Sequence, residues 1–209
     1  NRAEVFMKQG KTDLAIENYS QAILLDAEDA GFYAGRGKAY RLQGKFSLAE
    51  ADLNRAIDLD DRLTKAYLQR GELRLAQGEY DSAAADYRAA VRNDSRSAEA
   101  FRCVAWMMAT CDDERFRDRK RSLQFAKKAV ELNGEENFRL LDTMAAAHAN
   151  AGQFNYAVTE QQRAIEMATG KATGRELYDL KQRLQLYSQQ VPHRTEVIAR
   201  QSDRSERIQ

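Results

Sequence analysis

Gly10, Gly44 and Gly78 stand 34 residues apart, and the chain around them repeats. Each is followed five positions later by alanine (Ala15, Ala49, Ala83) and twelve positions later by another (Ala22, Ala56, Ala90). A fixed period of this length constrains the fold more than any single residue does. Each period is one supersecondary unit that buries its apolar face only by stacking on the next, so the chain reads as a solenoid. A stack of helical hairpins is a surface for holding another molecule, and no active site is expected of it.

The clearest repeat runs over 30–63: Tyr33-x-x-Arg36-Gly37-x-x-Tyr40, then Gly44, Phe46, Ala49, Leu53 and Ala56. The next, 64–97, has Tyr67-x-x-Arg70-Gly71, then Gly78, Tyr80, Ala83, Tyr87 and Ala90. The small residues Gly37, Gly71, Ala49, Ala83, Ala56 and Ala90 let two helices approach, and Tyr33 and Tyr67 fill the gaps between them. Gly44 and Gly78 fall just past a first helix, where a left-handed cap favours a residue without Cβ. Leu53, Ala56 and Ile57 recur at helical spacing. Residue types and spacing resemble the tetratricopeptide repeat over nearly all of 1–169. The resemblance implies an all-α, right-handed solenoid of stacked helix-turn-helix units with a C-terminal capping helix.

One solenoid is expected over 1–190, with repeats at 1–29, 30–63, 64–97, 98–137 and 138–171 and a capping helix over 173–190. Helices are predicted near 12–26, 30–43, 46–59, 64–77, 80–93, 98–111, 118–133, 138–151, 154–168 and 173–190. The first repeat is incomplete, because Asn1 enters partway through a helix, and the chain is expected to be a fragment of a longer protein. The fourth repeat carries about five extra residues between Thr110 and Arg119, and Asp112 takes the slot of the turn glycine. The proline that closes each repeat in the resembling family is replaced by Ala27, Asp61 and Ser95. Asp60-Asp61 and Asn93-Asp94-Ser95 are therefore expected to cap the helices that follow. Arg74 sits where an aromatic is expected. In 173–190, Leu177, Leu180, Leu184 and Tyr187 form one stripe, with Arg175, Lys181 and Arg183 placed elsewhere. Pro192 ends this helix. Residues 191–209 read as a charged tail, with a weak helix from Thr195 as an alternative.

A chain of 209 residues, 43% apolar and 31% charged, is long enough for one continuous core without disulfides. A net charge of +1 gives no whole-molecule attraction to nucleic acid or to an acidic membrane, so neither is expected as a partner. No apolar run approaches the roughly 20 residues of a membrane span. Cys103 and Cys111 are eight residues apart on one expected helix, about 12 Å, too far to bridge. Free thiols suit a reducing compartment such as the cytoplasm; a targeting segment ahead of Asn1 would not be seen.

Candidate chemistry is sparse. His148 aligns with Tyr40 and Met108 at a core slot and reads as a packed, hydrogen-bonded histidine. No histidine or cysteine pair has metal-ligand spacing, no glycine loop cradles phosphate, and no carboxylates pair on an apolar face. No cofactor is expected. The basic run Arg115–Arg121 is balanced by Asp112-Asp113-Glu114 and reads as a solvated loop and helix start.

The resemblance also implies a concave face lined by the first helix of each repeat. Carried over by position, the candidate partner-binding residues are Lys38, Arg41 and Leu42, then Lys65, Gln69 and Glu72, then Arg102 and Trp106, then Arg139 and Asn150. This is a groove of mixed charge with apolar spots, suited to an extended peptide or a helix. Family members that bind chaperone tails use a carboxylate clamp. Here only Lys65 matches it, with Glu4, Gly35 and Gln69 at other clamp positions, so that mode is not expected. Trp106, the only tryptophan, has two readings: packing on the inserted loop with Phe116, or an anchor for a bound segment flanked by Arg102, Glu99 and Arg139. The function expected is a non-enzymatic protein-interaction scaffold. Two further readings are a docking arm of a larger multidomain enzyme and self-association through the C-terminal tail.

Overall fold

The computed structural model describes residues 2–133 and 137–195. Every regular element among them is helical. The chain divides into two compact halves, Asn1–Ser95 and Arg96–Gln209. The first holds α1 (Arg2–Lys8), α2 (Thr12–Leu25), α3 (Ala30–Leu42), α4 (Phe46–Leu59), α5 (Thr64–Gln77) and α6 (Tyr80–Asn93). The second holds α7 (Ala98–Thr110), α8 (Arg119–Asn133), α9 (Phe138–Asn150), α10 (Phe154–Ala168) and α11 (Gly174–Ser188). All ten expected helices are present with ends within about two residues, the ordinary uncertainty of a helix boundary.

The hairpin turn is built the same way four times. Gly10, Gly44, Gly78 and Gly152 take φ of 71°, 73°, 80° and 77°, the left-handed region that a Cβ disfavours. The next residue then turns its N–H back on the first helix: Lys11 on the Phe6 carbonyl, Lys45 on Tyr40, Glu79 on Arg74 and Gln153 on His148, at 2.8–2.9 Å. That bond closes the helix end and starts its partner at once. The second helices α2, α4, α6 and α10 accordingly begin without a side-chain cap.

The turns between repeats differ from expectation. Asp60 lies at the end of α4, and its Oδ1 accepts from the Arg62 N–H at 2.9 Å. It sits too early to reach α5, which starts after Leu63 with no side-chain cap. Asn93 donates to the Asp61 carbonyl at 3.0 Å, and α7 is capped by Ser97, whose hydroxyl accepts from the Ala100 N–H. An acid one or two residues past a helix reaches only the N–H two positions on, a local Asx turn.

Between helices the small residues act as expected. A Cβ on Gly37 would lie 2.9 Å from Leu53, and one on Gly71 would lie 2.5 Å from the Tyr87 ring. Leu53 is fully buried with Ala49 and Leu73, and Ala34, Ala56 and Ala66 close the neighbouring layer. A buried ion pair also repeats, which the hydrophobic pattern did not reveal. Arg36 on α3 grips Asp52 on α4 at 2.7 and 2.8 Å and reaches back to the Ser20 hydroxyl on α2. One period later Arg70 grips Asp86 and reaches back to Asn54. Arg74 joins the same carboxylate at 2.8 Å, which explains a charge at an aromatic slot.

In the second half, α7 to α11 pack as successive antiparallel neighbours. The inserted stretch forms a 3₁₀ turn at Glu114–Phe116. Arg117 ties it down by donating to the carbonyls of Cys111 and Asp112. Cys103 and Cys111 are both buried free thiols. On α11, Leu180 and Tyr187 are fully buried against Leu141, Ala164 and Ala157, so the helix closes the apolar face of α10. Its start is a capping box, Thr173 with Glu176.

Candidate functional site

In the first half, α1, α3 and α5 adjoin one another and share a face. Arg41 on α3 donates to Glu72 at 2.6 Å and to Gln69 at 3.3 Å, both on α5. Lys65 meets Glu4 at 3.4 Å. Gln69 is buried, Lys38 is half-buried on α3, and Leu42 is 55% exposed at its end. Arg41 and Glu72 are thus engaged with each other in a largely buried pair, while the half-exposed Lys65–Glu4 pair is worth about 0–1 kcal/mol.

In the second half the corresponding face belongs to α7 and α9, with α11 beside it. Arg102 is taken up by Glu99 at 2.7 and 2.9 Å, and exposed Arg139 pairs with Glu176. Asn150 is buried and donates to the Met108 carbonyl at 3.3 Å. Trp106 is half-buried on the layer of Ala105, Ala109, Met144 and Ala147. Its ring lies 5.7 Å from that of His193, and the Arg183 guanidinium stands over it at 5.3 Å. Phe116, one of the two partners weighed for it, has its ring under the Arg115 guanidinium.

Arg183 was expected away from the buried stripe of α11 but faces inward. It sits three residues after Leu180 and four before Tyr187, on the same helix face. Its Nε and Nη2 donate to both oxygens of Asp142 at 2.7 and 2.9 Å. Gln161 on α10 donates to the same carboxylate at 3.0 Å and to the Leu180 carbonyl. Burial raises the pKa of the neighbouring Tyr187 hydroxyl, and the Asp142 charge adds to it. The fork-on-carboxylate geometry fixes the Arg183 side chain, and with it the outer wall of the Trp106 site.

Residues 191–195, expected as the start of a tail, lie in this half without secondary structure and against α7. The Thr195 N–H donates to the Thr110 carbonyl at 2.8 Å, and the two threonine hydroxyls meet at 2.8 Å. Arg194 donates through Nη1 to the Ala109 carbonyl at 3.0 Å and through Nη2 to Asn150 Oδ1 at 3.4 Å. Burial lowers the Arg194 pKa, and the charge of Arg117 lowers it further. The helix expected from Thr195 lies outside the described residues. His148 is half-buried, with Nδ1 2.7 Å from Gln153 Oε1 and its ring stacked on Tyr156 at 5.3 Å, as a packing histidine would be. Among the described residues no helix is long and apolar enough to cross a membrane.

Three family models match this chain: a TPR repeat over residues 3–44, and tetratricopeptide repeats over 30–62 and 68–106. The chain is a tandem tetratricopeptide-repeat protein. Among solved structures it is similar to a thermophilic TPR protein of Thermus thermophilus, with TM-score 0.72 and 16% identity over 88% of this chain and 94% of that one. It is also similar to MamA, with TM-score 0.56 and 19% identity over 82% and 97%. A third is YrrB, described as a TPR protein with an unusual peptide-binding site, with TM-score 0.55 and 20% identity over 84% and 86%. These likenesses show the fold. A sequence comparison with curated proteins returns no match.

Proposed function

We propose that this chain is a non-enzymatic interaction scaffold that binds an extended polypeptide on the face formed by the first helices of its repeats. The observation that carries the reading is the placement of 191–195. A segment without secondary structure is held on α7 and α9 by a main-chain hydrogen bond, a hydroxyl pair, a side-chain fork and a ring contact. That is how a groove receives a peptide: backbone bonds supply affinity and side-chain contacts supply selection. The likeness to a peptide-binding TPR protein supports the same reading. In the first half, Lys38, Arg41, Leu42, Lys65, Gln69 and Glu72 present mixed charge with one exposed leucine.

The test is an array of short peptides probed with the full chain. Peptides retained are then measured against the double variants Lys38→Ala/Arg41→Ala and Trp106→Ala/Asn150→Ala. At least one retained peptide should lose about thirtyfold in affinity to one of the pairs, the size of a binding hot spot. An array that retains nothing, or peptides indifferent to both pairs, overturns the reading.

A further inference from the structure

The end of α7 differs from every other first-helix end described. In the second repeat, the Arg41 carbonyl accepts from the Gly44 N–H at 3.0 Å and the Tyr40 carbonyl from Lys45 at 2.9 Å. The same bonds close α5 and α9, through Gly78 on Leu75 and Gly152 on Ala149. Two periods on from Arg41 stands Ala109, and there Asp112 has replaced the glycine. Cys111 takes φ −54° and ψ 133° instead, and the chain leaves into the inserted 3₁₀ turn. The turn can no longer bring a local N–H to the Ala109 carbonyl. Asp118 satisfies the Met108 carbonyl, while those of Ala109 and Thr110 are met by Arg194 and Thr195. Loss of the glycine cap leaves the Ala109 carbonyl to a donor from elsewhere, and a second stretch of chain supplies it, bonding the Thr110 carbonyl beside it as well.

We propose that the carbonyl end of α7, with Trp106 and Asn150, is a recognition site for an extended peptide of another protein carrying arginine followed by a small hydroxyl residue, and that residues 192–195 occupy it in competition. The proposal rests on the scaffold reading above and names the ligand for that face. Each element of the site selects a feature. The carbonyl end of a helix carries partial negative charge and favours a cation. Two acceptors set apart, the Ala109 carbonyl and Asn150 Oδ1, suit the planar fork of arginine better than the point charge of lysine. Next to it, Thr110 offers a carbonyl and a hydroxyl to a residue with an N–H and an Oγ, as Thr195 supplies. One position before the arginine, the Trp106 ring takes a flat side chain, here His193.

The chain's own segment is a compromised occupant. Gln190, which leads into it, has φ of 60°, a left-handed turn that a residue with Cβ adopts at a cost. A peptide arriving from outside has no such turn to make. Among the described residues, the contacts of the chain's own segment with α7 and α9 fall on His193, Arg194 and Thr195.

The probe is the peptide Val-Pro-His-Arg-Thr, labelled with a fluorophore, together with its Arg→Ala form. The full chain and its Arg194→Ala variant are titrated with each, up to millimolar peptide. Trp106 emission reports contact at the site, and circular dichroism reports folding. Arg194→Ala should bind the peptide about tenfold more tightly than the unaltered chain, as for a site otherwise open roughly one tenth of the time. The Arg→Ala peptide should bind neither. Equal affinity of both chains, or equal binding of both peptides, overturns the proposal and leaves 192–195 a fixed strap. A dimer of the unaltered chain that dissociates on Arg194→Ala also overturns it, in favour of exchange between copies. If array peptides bind the face while this probe does not, the inference fails and the scaffold stands; if nothing binds in either experiment, both fail.

Discussion

Arg70 and Asp86 meet across the α5–α6 hairpin at 2.8 Å, with the carboxylate 3% exposed, and Arg36 and Asp52 repeat the pairing one period earlier. Asp86 also receives Arg74, so one buried carboxylate balances two guanidinium groups. Replacing it by alanine leaves both cations without their counter-charge. Asp86→Ala is expected to destabilise the chain by roughly 3–5 kcal/mol, the cost of breaking a buried pair from one side. Urea denaturation measures it, and a loss below about 1 kcal/mol would show that solvent reaches the arginines freely.

Gly71 faces the Tyr87 ring, where a Cβ would come within 2.5 Å of a ring carbon. An aromatic ring anchored in the core cannot retreat as a flexible chain end would. Gly71→Ala should cost about 1–3 kcal/mol through overpacking, despite the better helix propensity of alanine. A gain in thermal stability would mean that the two helices separate without penalty.

The capping helix offers a graded comparison. Leu180 is 1% exposed against Leu141 and Ala164, whereas Leu184 is only half-buried. Leu180→Asp puts a charge into that contact and should cost several kcal/mol, while Leu184→Asp should cost about 1 kcal/mol or less. Equal melting temperatures for the two variants would refute the role of α11 as a cap.

Tyr19 packs beside Ala3 and Ala15, and burial, helped by the Glu4 charge, pushes its pKa up to about 12. An unfolded tyrosine ionises near 10. The folded state therefore holds its proton longer than the unfolded state does. This contribution is whole below pH 10 and is lost as pH rises towards 12. In Tyr19→Phe, stability should fall less steeply over that window than in the unaltered chain. Parallel pH profiles of the two chains would place the titration elsewhere.

The period of 34 residues determined the helices, their ends and the turn glycines, because each of these is a local requirement met within a few residues. A backbone at φ of 71° to 80° after a helix calls for glycine wherever it occurs, and Gly37 and Gly71 mark close approach within one hairpin. The repeated ion pair was also written in the period, since Ser20 and Asn54, Arg36 and Arg70, and Asp52 and Asp86 are each 34 apart. A reading confined to apolar positions passes over it. What the sequence did not hold is where the broken pattern is repaired. Asp112 in a glycine slot announces that α7 ends differently, but the donors that complete it lie 85 residues further on. The partner of Arg183 lies 41 residues back on α9. Such pairings depend on which helix ends the stack brings together, and only packing in three dimensions decides that.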